Sequence, residues 1–440
     1  MQVSVDAGDE VAAEFGKRGT DLNSAHQMDE EILPDKTKTY CLLGMLAYII
    51  AVLLYIVAGD ALWKLSISSS EFLSNLPGIF NHYFWIYSNP AYAAYHYLGG
   101  FLILLAAQKD SAVKSLNIFM MSCVVRNYVR CIVKEGRPIF ETNSINRSVT
   151  GCNCSFGFPS GHSEGSSMFY SILINELVIQ NGTVAPKIKT AATIIGVFTV
   201  VNVMVSRMYY GMHSIPQVTV GATQGLFFFS LSVLYQYKLV PIYRKLLNGD
   251  WNAYILTSTW YLVVAALNLL SYSAIFDDQL SKYSRPSYNQ CGECFMHGLS
   301  KFRSGIIRGF QYFFIGFGFN TGIYLLKGKY AERNHSVLEQ HKSVLGLKRI
   351  LLMVLCTSTT LVTYLPIFPT GSPVLFGLVC LVVYFLVGFT ITFIFTKVST
   401  LLGINLPGDI GGNGSESDTE LGTEHKETME LEGVDTNKII

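Results

Sequence analysis

Two histidines and a set of fixed cations fall in three short stretches of this 440-residue chain. VRCIVKEGRP (129–138) carries Arg130, Lys134 and Arg137. FPSGHSEG (158–165) carries Ser160, Gly161 and His162, and SRMYYGMHSIPQ (206–217) carries Arg207, His213 and Gln217. Arg126, Arg130 and Lys134 are spaced to share one helix face, which Arg137-Pro138 brings to an end. Pro-Ser-Gly-His precedes a helical run, so its backbone N–H groups form a natural anion site. There Gly161 permits close approach, and Ser160 caps the helix or donates to a phosphate oxygen. Gln217 lies four residues beyond His213 and so over it on one face. It can hold the ring through Nδ1 and leave Nε2 free to attack. Taken singly, each stretch also fits a plain reading: lipid-anchoring cations, an ordinary serine cap, a lone interfacial histidine. Together they fit transfer of a phosphoryl group to water. The cations neutralise the phosphoryl oxygens. One histidine attacks phosphorus while the other protonates the leaving alkoxide. No carboxylate cluster accompanies them, so neither metal nor cofactor is expected.

The elements that must position these residues are apolar. Half of the chain is hydrophobic, only 14% is charged, and the mean hydropathy is +0.35. A soluble protein carries about 25% charged residues, so the expected architecture is all-α, a polytopic membrane helical bundle. Runs long enough to span fall near 41–59, 91–108, 115–133, 163–180, 190–205, 214–237, 253–275, 305–326, 350–367 and 374–395. That predicts about ten spans, a six-helix core and about four further C-terminal helices. The expected divisions are a disordered leader at 1–39, a catalytic core at 40–237, additional spans at 238–397 and an acidic disordered tail at 398–440. Residues 76–90 read as an interfacial piece. All three stretches lie at the ends of spans, where ionisable residues are costly and usually functional.

An even number of crossings puts both termini on one side. Up to Lys397, leaving out the acidic tail, that side holds 18 Lys and Arg against 9 opposite, so the termini are expected in the cytosol and the three stretches in the lumen. Asn146 and Asn153 then sit in lumenal sequons open to N-glycosylation. Cys41, Cys123, Cys356 and Cys380 read as packing residues. Cys152, Cys154, Cys291 and Cys294 fall in loops, where disulfides are expected if those loops are lumenal. No basic tract suggests nucleic acid; the expected partners are the bilayer and a phosphorylated lipid.

The three stretches resemble the type 2 phosphatidic acid phosphatase and haloperoxidase superfamily. Its pattern is Lys, six residues, Arg-Pro; then Pro-Ser-Gly-His; then Ser-Arg, five residues, His, three residues, Asp. The resemblance covers roughly residues 115–237. It implies that His213 is the nucleophile and His162 the general acid. It also implies that Arg130, Arg137, Ser160, Gly161 and Arg207 bind phosphate. Two positions depart: the first Lys aligns with Arg130, with Lys134 as a substitute cation, and the final Asp aligns with Gln217. SRMYYGMHSI is most similar to the sphingosine-1-phosphate phosphatases. Gln217 is instead similar to glucose-6-phosphatases and dolichyl diphosphate phosphatases. The resemblance implies a phosphatase working through a phosphohistidine. The cation row at 126–134, running to membrane depth where a headgroup sits, favours a lipid phosphate as substrate, and a lumenal site with sequons fits the endoplasmic reticulum. A sugar phosphatase, a dolichyl diphosphate phosphatase and a transporter on a decayed phosphatase core stay open.

Overall fold

The computed structural model describes residues 35–88, 109–140, 145, 156–180, 184–275, 311–326 and 373–394. These residues form an all-α membrane helical bundle. The spans expected at 91–108 and 350–367 lie outside them, as do Asn146, Asn153, Cys152, Cys154, Cys291, Cys294, Cys356 and the tail from 398. The helices are α1 (Asp35–Ser74), α2 (Ile79–Ser88), α3 (Lys109–Val133), α4 (Gly161–Ile174), α5 (Pro186–Tyr209), α6 (Ile215–Leu234), α7 (Gln236–Leu247), α8 (Trp251–Ile275), α9 (Gln311–Leu325) and α10 (Pro373–Phe389). A π-helical turn, Asn175–Ile179, prolongs α4, and another, Thr390–Ile394, prolongs α10. The helix α1 begins at Asp35, inside the stretch read as a disordered leader. An acidic residue in the first turn suits the positive end of the helix dipole.

Among the described residues, α1, α5, α6 and the Val113–Val133 part of α3 are long and apolar enough to cross a membrane. Burial separates them into two kinds. Only 11% of the apolar window of α1 and 17% of that of α5 are buried, against 56% for α3 and for α6. Leu53, Leu54 and Val57 of α1 and Ile194, Ile195 and Phe198 of α5 are exposed. Such continuous apolar faces suit lipid contact. The helices α3 and α6 are the centre. Along α6 lies α1, while α4 packs between α5 and α6, and α8 and α9 pack on α3. Close approach of α6 to α4 depends on Gly221 and Gly225, four residues apart. A Cβ at Gly221 would stand 2.5 Å from the Ser160 carbonyl oxygen, and one at Gly225 would strike the Glu164 carbonyl. This small-xxx-small spacing brings helix backbones together where apolar burial supplies little drive.

Two pairs of buried opposite charges link the helices of the bundle. Lys114 pairs with Glu176 at 3.2 Å, both side chains being buried. Arg126 pairs with Glu164, which also accepts from Ser122 and, at 3.4 Å, from Gln224 Nε2. Buried charges persist when paired and hydrogen-bonded. Cys41 and Cys123 are buried free thiols, in keeping with a packing role.

Candidate active site

The first stretch starts on α3 and leaves it abruptly. The helix stops at Val133, and Lys134 takes a φ of +53°, so the cation row expected along one helix face does not form. Lys134 has left the helix, and Arg126 is turned into the core against Glu164, with Tyr312 5.0 Å from its guanidinium carbon. Arg126 thus meets the second stretch at its acidic residue, whereas Arg130 meets its turn, donating from Nε and Nη2 to the Pro159 carbonyl at 3.1 and 2.9 Å. Arg137 leads into the single 3-10 turn Pro138–Phe140. Its guanidinium is 1% exposed and donates to the carbonyls of Met212 at 2.7 Å and Phe156 at 3.2 Å.

The second stretch forms the N-terminus of α4. Ser160 is the N-cap, and its Oγ accepts from the backbone N–H and hydroxyl of Ser163. His162 follows in the first turn. Its Nε2 is buried without a protein hydrogen-bond partner, and so is Nε of Arg207. Buried polar atoms of this kind are rare and call for an explanation; a ligand oxygen is one.

The third stretch closes α5 and opens α6. Arg207 donates from Nη1 to the Ser88 carbonyl at 3.0 Å and to Ser88 Oγ at 3.1 Å, so α2 holds it in place. The chain then turns at Gly211, whose φ of +61° favours glycine. His213 sits one residue before the N-cap of α6, not on the helix itself. Ser214 and Gln217 form a capping box, with Pro216 in the first turn.

Main-chain bonds join the stretches. Gly157 N–H donates to the Glu135 carbonyl, Ile139 N–H to Gly211, and Ser160 N–H to Gln217, all between 2.8 and 2.9 Å. Ser66 Oγ of α1 accepts from Ile215 N–H at 2.8 Å. The site candidates singled out from sequence thus lie on joined segments at the ends of α3, α4, α5 and α6.

The state of His213 follows from its neighbours. Gln217 Nε2 donates to the Gly136 carbonyl at 2.7 Å and to Glu135 Oε2 at 2.9 Å. A carbonyl only accepts, so this fixes which end of the amide is nitrogen. Oε1 therefore faces Ser214 N–H at 3.2 Å and His213 Nδ1 at 3.1 Å. An amide oxygen must receive a proton there, which places the ring hydrogen on Nδ1. The lone pair then lies on Nε2, 3.2 Å from Nη1 of Arg137. Burial, and then the positive charges of Arg137, Arg207 and Arg130, hold the His213 pKa well below its ordinary value. The ring is therefore held in its neutral form, with the Nε2 lone pair directed at Arg137. Burial and the neighbouring positive charges of Arg130 and Arg207 also pull the Arg137 pKa down.

Residues 111–241 match the PAP2 superfamily model. The match runs from α3 into α7 and contains His162, His213 and every phosphate-binding candidate. Comparison with curated proteins and with solved structures returned no match.

Glu135, Ser88 and Ser66 were not found from sequence. Glu135 stands inside the first stretch, where a carboxylate among cations was a signal. Nothing local marked the two serines.

Proposed function

We propose that this chain is a metal-independent phosphatase of phosphate monoesters, with a lipid phosphate such as a sphingoid base 1-phosphate as substrate. The observation that carries the reading is the His213 ring, neutral, held at Nδ1 by Gln217 and offering Nε2 beside Arg137. The PAP2 match over the same residues supports it.

In this mechanism Arg130, Arg137 and Arg207, the Ser160–Gly161 turn and the α4 N-terminus receive the phosphoryl oxygens. The Nε2 lone pair of His213 attacks phosphorus as the bond to the leaving oxygen breaks. Protonated His162 gives its proton to that oxygen, and the alcohol departs. Water then attacks the phosphohistidine, its proton passes to His162, and the N–P bond breaks to release inorganic phosphate. Lys134, past the helix end, is a reserve cation. The lipid reading does not rest on a deep row of cations, because Arg126 is neutralised by Glu164. It rests on the position of the cluster at four helix ends, where the headgroup of a bilayer lipid lies. The charge asymmetry favours a lumenal site in the endoplasmic reticulum, with both termini cytosolic. Gln217 favours a second reading, a sugar phosphate.

Phosphate release in detergent with EDTA tests the proposal, using a sphingoid base 1-phosphate, phosphatidic acid, dolichyl diphosphate and glucose-6-phosphate. Release from the lipid monoesters is expected. A requirement for added metal would sink the mechanism, and release from glucose-6-phosphate alone would sink the lipid substrate. Glycan mapping checks sidedness: Asn146 and Asn153 should be modified and Asn334 bare.

A further inference from the structure

Gln217 leaves the nucleophile with a neutral amide where an imidazole that becomes cationic on phosphorylation gains from a carboxylate. The structure holds that carboxylate one step away. Glu135 Oε2 accepts from Gln217 Nε2 at 2.9 Å, and Gln217 Oε1 meets His213 Nδ1 at 3.1 Å. The two contacts use opposite ends of one amide, whose orientation Gly136 and Ser214 fix independently.

We propose that Glu135 is the charged end of a relay, Glu135–Gln217–His213, in which the Gln217 side-chain amide passes the polarisation of the carboxylate to Nδ1 of the nucleophile. Glu135 acts through Gln217 and is a positioning residue. The proposal rests on His213 being the nucleophile.

The physics is that of linked hydrogen bonds. A carboxylate accepting from an amide N–H draws electron density toward the amide oxygen, which strengthens that oxygen as an acceptor. The Nδ1–H of His213 then donates into a more negative oxygen. That raises the electron density at Nε2 and stabilises the positive ring formed when Nε2 binds phosphorus. The same arrangement fixes the ring plane and tautomer, as a carboxylate behind a histidine does in metal sites. Local packing makes room for the relay. A Cβ at Gly157 would stand 2.5 Å from Gln217 Oε1 and 2.6 Å from the Gly136 carbonyl, so any larger residue there would push the amide out of line. The main-chain bond from Gly157 N–H to the Glu135 carbonyl holds the carboxylate's own backbone against this gap. Three chain segments therefore converge on one amide, more than capping α6 requires.

Glu135→Gln is the deciding variant, because it keeps an oxygen to accept from Gln217 Nε2 and removes only the charge. The expected result, on the full chain in detergent, is a kcat lower by about 10-fold or more with KM within about 2-fold, the range for such supporting groups. Glu135→Asp, which keeps the charge, should recover part of the lost kcat. Unchanged kcat in Glu135→Gln would show that Glu135 only orients the amide and would overturn the proposal. A loss confined to KM would overturn it as well. A second measurement needs no variant at position 135 and no activity. Nitrogen-15 spectra of histidine-labelled wild type, with the His213 signal identified by its absence in His213→Ala, should show Nδ1 protonated and Nε2 bare. A proton on Nε2 would break the relay. If wild type releases no phosphate from any monoester, the proposed function fails, while a proton on Nε2 would still overturn the relay on its own.

Discussion

Two groups of buried charge lie within one turn of each other at this end of the bundle, and they are built on opposite plans. Around Glu164, Arg126 is paired, Ser122 and Gln224 donate to the same carboxylate, and Tyr312 lies beside the guanidinium. Around His213, among the described residues, Arg130 and Arg207 donate to carbonyl and hydroxyl oxygens alone. The first group is electrically closed and the second is open, with positive charge held in place by the backbone. Each arrangement is costly in a different way. A closed pair loses hydration and regains it in Coulomb attraction. An open cluster repels itself until an anion arrives. The difference separates an arginine neutralised by a carboxylate from one held by carbonyls, where residue type cannot.

The largest expected break is at the nucleophile. His213→Ala should lower phosphate release by at least about 10³-fold without a matching loss of stability, read by turnover and thermal unfolding together. Next comes the closed group. Arg126→Leu should cost about 3–5 kcal/mol of stability, since it leaves Glu164 buried and unpaired. The double variant Arg126→Leu with Glu164→Gln should regain much of that. If Arg126→Leu proved as stable as wild type yet inactive, the division between the groups would be wrong. A ligand sharpens the other side. Orthovanadate, a mimic of the phosphoryl group, should stabilise wild type by about 2.7 kcal/mol at 100 times its Kd, and much less in Arg130→Ala. Smallest is the effect of pH on the relay. Burial pushes the Glu135 carboxyl up to about 7, partly offset by the bond from Gln217. The carboxylate therefore gains its charge as pH rises through about 7, and turnover should rise with it. Glu135→Gln should lack that component. Ionisation of the substrate phosphate is common to both proteins and cancels in their ratio. The sign for stability is opposite. Between the ordinary 4.5 and about 7, the folded chain keeps a proton that the unfolded chain has lost, so the Glu135 contribution falls across that window.

What could be read from sequence was what depends on local spacing. Among the described residues the apolar runs became helices, Ser160 became an N-cap, and Gln217 met His213, though as the N3 residue of a capping box and not along a shared helix face. The cation row failed because a helical repeat assigns a face without saying what that face meets. Arg126 met Glu164, thirty-eight positions away, and Lys134 fell beyond the end of the helix. Glu135 was hidden for the same reason, since its partner amide is 82 positions on. Gly221 and Gly225 carried a legible spacing that went unread among the aliphatic residues of α6.

Arg207 ends on Ser88, and the first turn of α6 is capped by Ser66. Both serines precede residue 111, where the superfamily match begins. The smallest piece of this chain that can assemble a complete anion cradle is therefore longer than the stretch by which it is recognised. A fragment cut to residues 111–241 would carry both histidines and all three arginines, yet leave one arginine without its anchor and the nucleophile's helix without a brace.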